Sequence, residues 1–237
     1  MFLTAEVGNL QTTRNQYSHH LVFGSVLVRN THFPDGLVAS LAHPGGNVTG
    51  LSTFAPELSG KRLELLKEML PGISRVAVLA NRQFQGYGAQ AKEIEAAAHA
   101  LALNLKFVEV RGANDLDNAF AAISTARSGA ILTLRDPVTF TLLKPIVEMS
   151  IKNRVPSMHL QAEYAEAGGM VAYGPSYAEL YRRAATYVDK ILKGTLPADL
   201  PVEQPTKFEF IVNLKTAKQI GVTIPPNLLV RADRVIK

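Results

Sequence analysis

Cysteine and tryptophan are absent from the 237 residues. Without a thiol the chain can form no disulfide and no zinc–thiolate site, offers no thiol nucleophile and has no cysteine for lipid attachment. No run of eighteen apolar residues occurs, which argues against a membrane-spanning helix. The first twenty residues, MFLTAEVGNLQTTRNQYSHH, lack the basic start and apolar centre of a signal peptide. Catalytic signatures are missing too: there is no GxGxxG, no GxxxxGKS/T, no HExxH and no GxSxG. Six histidines are scattered, and His19-His20 has no third ligand at useful spacing. Neither a metal nor a cofactor is therefore expected.

The formal net charge of +5 raises the question of nucleic acid. Lys61-Arg62 and Lys67 alternate with Glu64 and Glu68, and Arg182-Arg183 precede Asp189-Lys190. Interspersed signs on a helix mark a solvated face, so these basic residues are expected outside. Aromatic and basic residues do not interleave as they do where bases stack, and nucleic acid is not an expected partner.

What the chain does have is alternation. A hydrophobic content of 47% is enough for a buried core. Leu21–Val28 reads as a buried strand, and 35–42 as the helix after it, stopped by His43-Pro44-Gly45-Gly46. Leu58, Leu63, Leu66 and Met69 mark a helix ended by Pro71-Gly72. Strands are then predicted at 75–80, 105–110, 130–134 and 156–160, each followed by a helical pattern, at 88–102, 115–127, 138–154 and 162–167. Asn114 is the predicted cap of the 115–127 helix. Met170–Tyr173 reads as a further strand. A long helix follows it, with Ser176 and Glu179 at capping-box spacing. Its apolar stripe is Tyr177, Leu180, Tyr181, Ala184, Val188, Ile191 and Leu192, and Gly194 ends it. Phe208–Val212 is a strand, Leu214–Ile220 a short helix, and Pro225-Pro226 leads into a final turn. Strands and helices alternating in this way specify an α/β fold with mostly parallel, doubly wound sheets.

Two stretches carry a resemblance. GLVASLAHPGGNVTGLSTFAPELSGKRLELLKEMLPGISRVAVLAN, at 36–81, and YRRAATYVDKILKGTLPADLPVEQPTKFEFIVNLKTAKQIGVTIPPNLLVRADRVI, near the end, resemble the ABC-transporter substrate-binding proteins of the tryptophan- and tyrosine-type group. The resemblance covers about Leu21–Lys237. It implies a periplasmic-binding-protein type I fold of two lobes that clamp a small ligand, with an ABC permease as partner and a periplasmic location. It also implies a shortened, incomplete first lobe, because the family has further strand–helix units before this point. The expected division is 1–73 with 170–200 as the first lobe and 74–169 with 201–237 as the second. A short first lobe with an open edge would favour a homodimer.

In open parallel sheets ligands bind beyond the carboxyl ends of the strands. Polar residues at those ends are the candidates: Asn81 and Arg82, Arg135 and Asp136, Glu163, and Tyr173 with Gly174. Together they suit a small zwitterion. Its carboxylate would take arginine or helix-terminal N–H groups and its ammonium would take Asp136, while a ring would stack on Tyr173. Asp136 is also a helix cap by sequence, with its second oxygen expected to face the cleft. The expected function is non-enzymatic binding of a small ligand, an amino acid and in particular an aromatic one. A small-molecule enzyme on a doubly wound sheet and the effector domain of a regulator are the alternatives.

Overall fold

Residues 75–80 read RVAVLA, and five of the six are buried, as a parallel strand covered on both faces requires. This strand lies within the larger of two compact units. The computed structural model describes residues 2–3, 25–29, 38–53 and 57–237. Its contacts divide residues 1–55 with 176–207 from residues 56–175 with 208–237, here called unit 1 and unit 2.

Unit 1 contains β1 (Phe2–Leu3), β2 (Ser25–Arg29), β3 (Val48–Ser52) and α7 (Tyr177–Leu192). Unit 2 contains β4 (Arg75–Ala80), β5 (Asn104–Glu109), β6 (Ala130–Thr133), β7 (Ser157–His159), β8 (Val171–Pro175), β9 (Phe208–Asn213) and β10 (Arg234–Ile236). Its helices are α1 (Glu57–Met69), α2 (Tyr87–Ala100), α3 (Leu116–Thr125), α4 (Pro137–Thr141), α5 (Leu143–Lys152), α6 (Ala162–Glu166), α8 (Leu214–Ile220) and α9 (Pro226–Arg231).

The seven strands of unit 2 lie in the order β10-β9-β8-β7-β6-β4-β5. All neighbours are parallel except β8 and β9. Side chains alternate between the two faces of a strand, and β4 shows the result. Val76, Val78 and Ala80 join Leu63, Leu66 and Met69 of α1 and Ile94 of α2 on one side. Ala77 and Leu79 join Phe120 and Ile123 of α3 and Ile146 of α5 on the other.

The division into units departs from the expected one in three places, the first being that residues 201–207, expected in the second lobe, fall in unit 1. Helix α1 packs its apolar stripe into the unit 2 core, and β8 pairs with both β7 and β9, so both belong to unit 2. The expected single helix over 138–154 is two, α4 and α5, meeting at Leu142. The expected last turn is helix α9 followed by β10, parallel to β9. Asp233 anchors this ending, because its Oδ2 accepts the Phe210 N–H at 2.7 Å. Asp115, not Asn114, precedes α3, and its carboxylate accepts the Arg111 N–H at 2.8 Å instead of capping the helix.

In unit 1, β3 lies parallel to β2, and β1 antiparallel to it. Of the helix expected at 35–42, the described part is a tight turn: Ala39 N–H donates to Pro44 O at 2.9 Å, and Ser40 Oγ accepts the His43 N–H at 2.9 Å. The rest of that helix, the first twenty residues apart from β1, and residues 21–24 of the first predicted strand lie outside the described residues. The α7 stripe is offset from the predicted one. Leu180, Ala184 and Tyr187 are buried with Leu51 and Leu200, whereas Tyr181 and Leu192 are exposed. Ser176 stands at the N-cap but its side chain makes no capping bond, so the predicted capping box does not form.

Segment 200–203 is stitched to β3. Glu203 N–H donates to Gly50 O, and Ser52 N–H donates to Glu203 O at 2.8 Å. Thr49 Oγ1 donates to Leu200 O at 2.6 Å. The Glu203 carboxylate takes two hydrogen bonds from Arg183 on α7, at 2.7 and 2.6 Å. The Tyr187 hydroxyl donates to Pro201 O at 2.6 Å.

One glycine in unit 2 is fixed by space alone. A Cβ at Gly174 on β8 would overlap the Leu160 carbonyl. Gly174→Ala should therefore destabilise the chain by about 3 kcal/mol. Urea unfolding would measure this, and a loss under about 1 kcal/mol would contradict the close approach.

Candidate functional site

The carboxyl ends of β4, β6 and β7 carry a continuous polar system. Asp136 follows β6 and is 3% exposed. Its Oδ1 accepts the Thr139 N–H at 2.8 Å, the N-cap bond of α4. Its Oδ2 accepts the Asn81 N–H at 3.2 Å and the Thr139 hydroxyl at 3.1 Å. The second oxygen, expected to face a ligand, is thus engaged within the protein. It joins the end of β4 to the start of α4. Asn81 turns its own chain as well, its Oδ1 accepting the Gln83 N–H at 3.0 Å. Gln90 of α2 braces the next position from both sides: its amide donates to Arg135 O at 3.0 Å and accepts the Arg135 N–H at 3.1 Å.

Beneath this lies a cluster that sequence reasoning missed. Arg62, assigned above to a solvated face, is 3% exposed. Its Nε donates to Leu58 O at 3.3 Å, Nη1 to Thr133 O at 3.2 Å and Nη2 to Ser59 Oγ at 3.3 Å. Thr133 Oγ1 shares a 3.0 Å hydrogen bond with His159 Nδ1. The His159 ring is fully buried and stacks on Tyr164 with centroids 4.2 Å apart. The Tyr164 hydroxyl donates to Thr139 O at 2.7 Å, closing the path from α1 to Asp136. A Cβ at Gly169 would press on the Tyr164 carbonyl and the His159 ring. The stack therefore has a fitted lid.

Electrostatics follow from burial. Desolvation, helped by the Arg62 charge, holds His159 near a pKa of about 3, so the ring is neutral. Desolvation likewise lowers Arg62 to about 10, with Glu93 opposing it, and the guanidinium stays charged at neutral pH. Burial raises the Tyr164 phenol above its ordinary value and keeps it a donor. Two buried atoms here have no hydrogen-bond partner among the described residues, His159 Nε2 and Glu163 Oε2.

The remaining predicted site residues divide. Arg82 is exposed, and Glu163 is half-buried at the start of α6. The Tyr173 ring, expected to face a ligand, contacts Phe208 and Phe210 with centroids 6.3 and 6.2 Å away. Gly174 is required by the Leu160 carbonyl. These two serve strand packing. In unit 1 a groove of about 450 Å³ runs past Leu51, Glu179, Arg183, Glu203, Pro205 and Lys207. Its Arg183 and Glu203 charges compensate each other.

The mostly parallel sheet of unit 2, with helices on both faces, has the type I periplasmic-binding fold, and solved structures share it. A conserved domain protein from Vibrio cholerae superposes with a TM-score of 0.76 at 28% identity, covering 84% of this chain and 66% of the other. An ABC domain from Streptococcus pneumoniae, solved in complex with L-Trp, superposes with a TM-score of 0.74 at 26% identity, covering 84% and 68%. Residues 30–236 match the family of ABC transporter substrate binding proteins, and the chain belongs to that family. A tyrosine-binding protein of Clostridioides difficile is 28% identical over 190 residues. The match takes in 79% of this chain, which spans about half the length of that relative (53%).

Two predictions follow from the geometry. Asp136→Asn replaces an acceptor of the Asn81 N–H or the Thr139 groups by a donor, so stability should fall by about 1–3 kcal/mol. Equal urea midpoints for variant and parent would show the ties to be idle. His159 is neutral in the folded chain well below the pH at which an unfolded histidine gains its proton. The unfolded state therefore binds the extra proton between about pH 6.5 and the folded value of about 3, and stability falls as pH drops through that window. One such proton gives a slope of about 1.4 kcal/mol per pH unit. His159→Gln should flatten the measured slope by about that amount, and an unchanged slope would contradict a neutral buried ring.

Proposed function

We propose that this chain is the ligand-binding component of an ABC uptake system and that its ligand is an aromatic amino acid. The observation that carries the reading is the polar system at the ends of β4, β6 and β7 in a chain of this family. The relatives point the same way: one is a tyrosine-binding protein, and another was solved with L-Trp. Binding is non-enzymatic in this reading, the partner is an ABC permease, and the location is periplasmic or extracellular.

The proposed ligand-facing residues are Asn81, Arg82, Arg135 and Glu163, with Asp136 as the residue that positions them. Glu163 takes the role first given to Asp136. Its Oε2 is buried without a donor among the described residues, and a buried acceptor left empty is costly, so the ligand ammonium is its natural partner. Asp136 instead fixes the Asn81 backbone and the start of α4.

Calorimetry with L-tyrosine and L-tryptophan tests the reading. The parent should bind at least one of them, and Glu163→Gln should weaken that binding by about 2 kcal/mol or more, as loss of one charged partner does. The melting temperature of the unliganded variant should stay level or rise, because an unpaired buried oxygen has been neutralised. Binding unchanged by the substitution would remove Glu163 from the site. Absence of binding to either amino acid by the parent would remove the reading itself.

A further inference from the structure

An aromatic ligand needs an apolar face for its ring, and Tyr173 does not offer one, because its own ring packs on Phe208 and Phe210. Phe84 does. It lies in the loop between β4 and α2, three residues beyond Asn81, and is half-buried. Among the described residues it joins none of the apolar clusters of unit 2 and makes no ring contact. Tyr87, three residues later, behaves differently. It packs against the core, and its ring meets Phe107 edge-on with centroids 6.1 Å apart.

The loop holds Phe84 in place. Its N–H donates to Asn81 O at 3.2 Å, and its carbonyl accepts the Tyr87 N–H at 2.9 Å. The ring rests on Gly86. A Cβ there would stand 2.7 Å from Phe84 Cε1 and 3.4 Å from Cδ1 and Cζ, so any larger residue would push the ring aside. Gly86 has a φ of −81°, an ordinary right-handed conformation, so the ring and not the backbone is what glycine accommodates. A single half-exposed phenylalanine is normal on a protein surface. One seated on a glycine that leaves room for it has a defined position.

That position adjoins the polar system described above. Asn81, whose N–H is held by Asp136 Oδ2, supplies the carbonyl that Phe84 N–H uses. On the other side Gly86 O accepts from the Gln90 side-chain amide at 3.4 Å, and the same nitrogen donates to Arg135 O at 3.0 Å. The seat of the ring is therefore one hydrogen bond from Asn81 and one side chain from Arg135. A small-molecule site combines an apolar wall with a few placed polar groups, and these residues supply both.

We propose that Phe84 selects aromatic side chains at the unit 2 site, its ring stacking on the ring of the bound amino acid. The proposal rests on the aromatic-amino-acid reading given above and adds the ring contact which that reading needs. Gly86 is the positioning residue of Phe84, because it decides where the ring can lie.

The test is calorimetry on the whole chain with L-tyrosine and L-tryptophan, for the parent and for Phe84→Leu, Phe84→Tyr and Gly86→Ala. L-leucine is measured by displacement of bound L-tryptophan. The chain has no tryptophan, so indole fluorescence in that assay comes from the ligand alone. The parent should prefer the aromatic acids to L-leucine. Phe84→Leu keeps an apolar side chain but loses the ring, and should reduce that preference about fivefold, the size of one aromatic pair. Its unliganded melting temperature should stay level. Phe84→Tyr should bind as the parent does, and Gly86→Ala should lose preference as Phe84→Leu does. A Phe84→Leu variant that keeps the parent's preference overturns the proposal, as does one that weakens all three ligands equally. A Phe84→Leu variant that melts well below the parent also overturns it, because the ring would then belong to the fold. So does a Gly86→Ala variant with the parent's preference. A parent that binds neither L-tyrosine nor L-tryptophan overturns the amino-acid reading itself, which separates the two failures.

Discussion

The Asp136 carboxylate fixes the geometry on which the candidate site depends. Parallel strands end independently, and nothing in the sheet ladder holds the segment after β4 against the segment after β6. One buried carboxylate accepting from Asn81 N–H, Thr139 N–H and Thr139 Oγ1 makes them a single piece. Tyr164 extends the tie to the end of β7 through Thr139 O. Preorganisation of this kind lowers the ordering cost of binding, and it uses up the acceptor that otherwise resembles a ligand contact.

Below that frame the energetics run the other way. Arg62 and His159 are buried at the expense of solvation, and each affects the other: the guanidinium charge discourages protonation of the ring. Neutral imidazole is what allows a histidine to lie flat on Tyr164 inside the core, next to a permanent cation. The region therefore combines a fully satisfied carboxylate above with unsatisfied polar atoms below, and functional sites are where such local departures from good packing concentrate.

Much of the fold is legible in the chain because the apolar runs are short and uninterrupted. RVAVLA can only be a covered strand, and Leu58, Leu63, Leu66 and Met69 fix the inner face of α1. The strand-end rule picks out Asn81 and Asp136, which do stand just beyond β4 and β6, since it needs only the strand boundaries. Direction within a site is not legible. Whether the second oxygen of Asp136 meets a ligand or the Asn81 amide depends on a contact across 55 residues. Arg62 is misread because alternating charges suggest water, although its position four residues after Leu58 and four before Leu66 puts it on the buried stripe. That spacing was the available signal. Strand β10 escapes because three residues, RVI, carry no period, and the β8–β9 reversal escapes because direction leaves no mark on composition.

The stitching of Glu203 to β3 has a consequence for amide exchange. The segment from Pro201 to Lys207 has almost no regular structure, and a chain map would class it as a linker open to deuterium. Yet the Glu203 amide is bonded to Gly50 O, and its carbonyl shields the Ser52 amide. Those two protons, far apart in sequence, exchange only when the same ladder opens, so they report one event. The Glu203 side chain is held twice by Arg183, so that ladder is also tied to α7. A connection that looks slack in sequence opens only with the strand beside it.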